Sequence, residues 1–217
     1  MWAALTLFWM IVALGAVFIF VPTERIMGIV QRIFYFHVSS AWLAFVAFAV
    51  VFVASILFLW KRKEKWDIVA LSSAEIGVIF TTLVLLTGPL WAKPIWNAWW
   101  TWDPRLSTTV VLWFIYISYL MLRALTVGEE KGARVAAVFG IIGFVDVPIV
   151  FMSIRWWRTI HPVVITTRDI GLAPQMIITV IVSIIAFTFL YIWLLSLRIA
   201  IEKAKRELKM IRNKLTP

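Results

Sequence analysis

IFYFHVSSAWLAFVAFAVVFVASILFLW, residues 33–60, contains no Asp, Glu, Lys or Arg. A helix that crosses the hydrocarbon core of a bilayer needs about 20 predominantly apolar residues. This run exceeds that length and is bracketed by Arg32 and Lys61. The pattern recurs along the chain. Residues 1–23, 106–122 and 170–197 are free of all four charged types, while residues 68–92 and 135–154 carry one acid each, Glu75 and Asp146. Six transmembrane helices are predicted, near residues 3–21, 35–60, 67–88, 105–123, 134–151 and 174–197. Residues 1–217 thus form a single all-α, polytopic membrane domain. The first apolar run lacks a basic leader and exceeds the roughly 7–15 apolar residues of a secretory signal, so it is read as a span.

Composition agrees. Hydrophobic residues make up 63% of the 217 and charged residues 15%, against roughly 45–50% and 25% in a soluble globular chain. A large soluble catalytic domain is excluded. The chain has no cysteine, which removes disulfides, thiolate metal sites and dithiol chemistry. The glycine cluster from Gly128 to Gly132 lacks the spacing of a phosphate-binding loop. Any ATP hydrolysis therefore belongs to another polypeptide, and the chain is read as a non-enzyme. Of the 21 Lys and Arg, 14 fall in the loops 61–65 and 123–134 and in the tail 198–217. The positive-inside rule then places both termini in the cytoplasm and the remaining loops outside.

The tail carries Leu197, Ile201, Ala204, Leu208, Ile211 and Leu215 at alternating steps of four and three. This describes a basic amphipathic helix, either lying on anionic lipid or paired with a partner helix. The net charge of +10 is explained in the same way, by the lipid surface beside the spans and not by a nucleic acid.

The unusual residues gather on the outer face. Residues 88–105 read GPLWAKPIWNAWWTWDPR and hold Trp91, Trp96, Trp99, Trp100 and Trp102, five of the fourteen tryptophans. Interfacial tryptophans usually occur singly. A dense cluster suits a large flat apolar ligand, each aromatic pair adding roughly 0.5–1.5 kcal/mol beyond burial. Asp103-Pro104 is a helix start, an acidic cap followed by proline at the first position, so the tryptophan loop is fixed to the head of the fourth span. Asp103 either caps alone or also meets the ligand.

Only two histidines exist, His37 at the outer mouth of the second span and His161 in the other long outer loop, 152–173. Each is a hydrogen-bonded side chain or a ligand to iron. Two imidazoles, an aromatic shelf and no thiol match the requirements of bis-histidine haem ligation; zinc would want further protein ligands. Arg105, Arg155, Arg158 and Arg168 are outer-side partners for the haem propionates, because guanidinium grips carboxylate bidentately. Glu75 and Asp146, inside spans, serve either a proton or substrate path or an interhelical hydrogen bond.

The segment from Trp96 to Asp103, WNAWWTWD, resembles the tryptophan-rich signature of the haem-handling membrane proteins of cytochrome c biogenesis. With six spans and one histidine in each flanking outer loop, the chain resembles the haem exporter protein C family over roughly residues 35–197. Ala92 and Asn97 stand where the family pattern has glycine, which alters the backbone angles open to the loop. The resemblance implies that haem b is held non-covalently by His37 and His161 against the tryptophan loop, on the outer face of a bacterial or archaeal cytoplasmic membrane. It implies delivery to a membrane-tethered haem chaperone (protein E of the system). Release of the loaded chaperone would fall to an ATP-binding cassette made by the ABC proteins A and B, beside a small single-span protein D.

Two other readings stand beside this one. A haem-lyase-type protein of the same superfamily would have more spans and more histidines. A secondary transporter would use Glu75 and Asp146, with no need for either histidine.

Overall fold

The computed structural model describes residues 1–126, 130–159, 161 and 171–215. Arg168, residues 160 and 162–170 of the 152–173 loop and part of the Gly128 cluster lie outside the described residues. The chain is helical: α1 (Trp2–Gly15) continuing as a π-helical turn (Ala16–Phe20), α2 (Gln31–Lys61), α3 (Glu64–Trp96), α4 (Pro104–Leu125), α5 (Glu130–Phe144), α6 (Asp146–Trp156) and α7 (Pro174–Leu215). Among the described residues, six helices are long and apolar enough to cross a membrane, α5 and α6 together forming one of them.

The helices run alternately up and down. One end of the bundle gathers His37, the tryptophan segment and His161; the other, the basic end, gathers Lys61, Arg123 and Arg206. The centre is built around α2, which packs most extensively on α3. Phe48 of α2 stacks on Tyr116 of α4 at 3.7 Å, both fully buried. Gly77 of α3 makes room for that stack, since a Cβ there would lie 2.5 Å from the Phe48 ring. Ser73 donates to the Ala47 carbonyl (2.8 Å) and so accepts from the Tyr191 hydroxyl (2.7 Å), tying α3 to α2 and α7. Buried polar groups satisfied in this way suit a core that has no water to offer. By contrast, α1 packs on α7 at the periphery, through Thr6 to the Phe189 carbonyl and Trp9 stacked on Phe189. Leu7, Phe8 and Ile11 are left exposed, as a lipid-facing surface requires.

Three boundaries differ from the sequence reading. The third span does not end at residue 88. Despite Pro89 and Pro94, α3 runs on to Trp96, so the first half of the expected outer loop is helical. Trp91 and Ala92 explain this, because both are buried there, with Trp91 against Phe34; that burial offsets the hydrogen bonds the prolines remove. The fifth span is broken at Val145, and Pro148 falls in the first turn of α6, where a missing N–H costs nothing. The tail is not a separate helix. It continues α7 without interruption to Leu215, and Arg206 holds it to α3 through Glu64 and Asp67, each at 2.9 Å. Glu75 pairs with Arg198 of α7, an interhelical ion pair.

Candidate functional site

His37 lies two turns into α2, facing α3. Its Nδ1 is 2.9 Å from the Thr87 hydroxyl, and that hydroxyl sits 2.7 Å from the Leu83 carbonyl. A threonine has one hydroxyl proton. Because it is directed to Leu83, the Thr87 oxygen accepts from His37, and the proton of the imidazole resides on Nδ1. The Nε2 lone pair is then the free one, the form a metal ligand needs. Gly88, the next residue, lies beside the ring, where a Cβ would make ordinary van der Waals contact with His37 Cε1 at 3.6 Å.

His161 comes from a different part of the chain and lines the same cavity as His37. It is anchored to the helix cap that the sequence singled out. Asp103 accepts the Leu106 N–H through Oδ1 at 3.0 Å, closing the first turn of α4. Its second oxygen, Oδ2, accepts the Thr159 hydroxyl at 2.5 Å, and Thr159 Oγ1 in turn accepts the His161 backbone N–H at 3.1 Å. Asp103 therefore caps and also latches the histidine loop to the tryptophan loop.

Arg105 also lines the cavity and donates to the Val150 carbonyl at 3.2 Å, near the end of α6. That contact leaves most of its five N–H donors for other partners. Arg158 is exposed and does not line the cavity, and Arg155 lies over the Phe151 ring. Among the described residues, no three His, Cys, Asp or Glu side chains cluster as a metal site would require. The two histidines are the strong donors present. The cavity itself is small, about 50 Å3, against roughly 300–1,000 Å3 for a pocket that encloses a small molecule.

Four of the five tryptophans meet in two separate pairs, with Trp99 in neither. Trp91 packs edge-on against Trp96 at 5.2 Å at the end of α3, and Trp100 packs edge-on against Trp102 at 5.5 Å in the segment before α4. Trp99 and Trp102 are exposed, whereas the indole nitrogens of Trp91 and Trp100 are buried without a hydrogen-bond partner among the described residues. The turn between the pairs depends on Asn97, whose φ of +54° lies in the left-handed region. Asparagine tolerates that region better than other non-glycine residues.

Sequence reasoning missed Thr87 and Thr159. Thr87 carries no distinguishing signal, because span threonines routinely bond the carbonyl four residues back, as Thr81 and Thr82 do. Thr159 was legible in principle, since a threonine hydroxyl commonly reaches a backbone N–H two residues on.

Comparison with known proteins places this arrangement. The family model described as heme exporter protein C matches residues 1–214. The chain is similar to the heme exporter protein C of Bradyrhizobium diazoefficiens, 35% identical over 175 residues that cover 80% of this chain and 66% of that one. It is also similar to the Haemophilus influenzae protein of the same description, 33% identical over 193 residues, 88% of this chain and 78% of the relative. With the Escherichia coli K12 protein it shares 34% over 142 residues, 65% of this chain and 58% of the relative. A family match over nearly every residue, on a six-span bundle whose two histidines line one cavity, leads to one conclusion: the chain belongs to the haem exporter protein C family.

Proposed function

We propose that this protein holds haem b non-covalently between His37 and His161 on the outer face of a bacterial or archaeal cytoplasmic membrane and passes it to a tethered haem chaperone. Membership of the haem exporter protein C family supports a haem-handling role in cytochrome c biogenesis. The observation that carries the site assignment is the shared cavity of the two histidines, together with the Thr87 contact that frees His37 Nε2.

The haem enters as cargo. At about 50 Å3 the cavity is far too small to enclose a porphyrin, so the two imidazoles part to take the haem plane between them, one on each face, and its edge projects from the cavity within reach of a recipient. Trp96, Trp99, Trp100 and Trp102 offer indole faces to the macrocycle with the buried Trp91 supporting Trp96 from behind, Arg105 and Arg158 offer guanidinium to the propionates, and Asp103 acts through Thr159 as a positioning residue. Binding that exposes an edge suits a carrier more than a store. The chain performs no ATP hydrolysis in this reading; the ABC proteins A and B supply it, with the single-span protein D alongside. The pairing of Glu75 with Arg198 gives that acid a structural partner and weakens the transporter alternative.

Transfer is tested with purified protein in nanodiscs, loaded with haem and mixed with the tethered chaperone. Movement of haem to the chaperone is expected. Haem that stays on the protein, or a chaperone that loads equally well without it, contradicts delivery.

A further inference from the structure

The cavity shared by the two histidines has walls from two differently packed units. His37 and Phe45 of α2 and Thr81 of α3 stand on one side; Leu112 of α4, Val150 of α6 and His161 stand on the other. The first side is firmly built. α2 and α3 share the most extensive helix packing in the chain, and Ser73 of α3 ties them to α7. On the second side α6 packs chiefly on α4 and little on α5. Arg105 of α4 donates to the Val150 carbonyl of α6 at 3.2 Å, and Asp103, the α4 cap, accepts from Thr159 just beyond α6. The head of α4, α6 and the segment leading to His161 are thus fastened to one another.

Their joints to the rest of the bundle are weak. The fifth span is interrupted at Val145, whose N–H reaches the Ile142 carbonyl only three residues back at 3.1 Å, and Pro148 has no N–H to offer the Phe144 carbonyl. Sharp bends in a helix occur at such gaps in its hydrogen-bond ladder. At the floor of the cavity Trp113, next to Leu112, donates its indole N–H across the cleft to the Thr82 hydroxyl at 2.8 Å. Thr82 sends its own proton to the Val78 carbonyl at 2.8 Å, so its oxygen is the acceptor. One turn deeper, Tyr116 is held by the Phe48 ring at 3.7 Å and donates to the Gly140 carbonyl at 3.3 Å. Nearer the basic end Arg123 pairs with Asp67 at 2.8 Å. From Tyr116 onward α4 is therefore anchored, while towards its head the Trp113–Thr82 bond ties it to α3.

A cavity of about 50 Å3 admits no flat macrocycle unless one wall leaves the other. We propose that α6 and the head of α4 swing as one flap away from α2 and α3, turning at the Val145 break and above Tyr116, and that the Trp113–Thr82 hydrogen bond is the catch that holds the flap shut. Trp113 and Thr82 then govern how fast a ligand enters. The flap carries His161 and leaves His37 in place, so its movement is what parts the two imidazoles. The Arg105 and Asp103 bonds lie within the flap and survive opening, which keeps the His161 segment in shape as it moves. The proposal rests on the haem reading for what enters, but not for the motion itself.

The chain has no cysteine, so spin labels attach only where one is introduced. Leu86→Cys on α3 and Phe151→Cys on α6 replace exposed residues on the two units; Val53→Cys on α2 with Leu86→Cys makes a control pair within the first unit. Double electron–electron resonance is run on the full-length protein in nanodiscs, first without haem. Trp113→Phe and Thr82→Val are each expected to show a longer distance between labels 86 and 151 than wild type, with the control pair unchanged. Added haem brings wild type to the same longer distance. In stopped-flow mixing each variant takes up haem roughly two- to ten-fold faster than wild type, the worth of one neutral hydrogen bond, and the double variant is no faster than either single one. A residue that only supported the fold would slow uptake when replaced. If one variant fails to fold, the other decides. Protein that takes up no haem contradicts the haem reading, and the haem-free distances then decide the flap. Equal distances in wild type and both variants, equal lengthening of the control pair, or variants that take up haem no faster than a haem-binding wild type would each overturn the proposal.

Discussion

Asp103 and Thr159 are joined by a 2.5 Å hydrogen bond between Oδ2 and the threonine hydroxyl, and this bond fastens the start of α4 to the loop that carries His161. One carboxylate thus serves two ends, the helix cap through Oδ1 and the histidine through Thr159. The tryptophan signature ends in an acid that positions a histidine fifty-odd residues later in the chain.

Thr159→Val removes the donor to Asp103 and the acceptor for the His161 N–H while preserving shape. Haem retention falls in this variant, and thermal stability changes by no more than about 1 kcal/mol, the net worth of a typical hydrogen bond. Asp103→Ala loses the cap as well, which adds about 0.5–2 kcal/mol of destabilisation. Haem titration and thermal unfolding of the two variants side by side separate latch from cap. A Thr159→Val protein that binds haem like wild type would show the latch to be idle.

Thr87→Val tests the orientation of His37. Without the hydroxyl, Nδ1 loses its acceptor and the imidazole is free to place its proton on Nε2. Haem affinity drops about 10–100-fold, the usual cost of removing the group that orients a metal-bound histidine, and Thr87→Ser restores most of it. The check is an absorption titration of each variant; equal affinity for Val and Ser would refute the assignment.

Gly77→Ala tests the packing at the centre of the bundle. Its new Cβ would lie 2.5 Å from Phe48 Cε1, and Phe48 is held by Tyr116 on its other face. Overpacking of this kind costs about 1–3 kcal/mol, read as a lowered unfolding midpoint in detergent with haem affinity per folded molecule unaffected. An unchanged midpoint would mean that the stack can yield.

The six spans were legible because charge is so costly in hydrocarbon that its absence over about 20 residues has few other readings. The Asp103 cap was legible from Asp-Pro alone. The end of α3 was not: Gly88-Pro89 and Pro94 are stop signals, and what overrides them is burial of Trp91 against Phe34, a contact between distant segments. The single tryptophan surface expected from the density of indoles resolves into two pairs because Trp91 and Trp96 ride on a helix and Trp100 and Trp102 on the irregular segment after it. The tail's heptad-like spacing was visible, but its direction was not, since that depends on Arg206 finding Glu64 and Asp67 far away in the chain. Thr87 shows the same limit at the site itself, where a pairing of two helices gives an ordinary residue its role.

Everything proposed for the outer face rests on one haem iron bound by both His37 and His161. Absorption spectra of the purified protein, with and without added haem, for wild type, His37→Ala and His161→Ala test this most directly. The expected result is a low-spin, six-coordinate spectrum in wild type that each substitution alters. Wild-type protein that takes up no haem, or variants whose spectra match wild type, would contradict it.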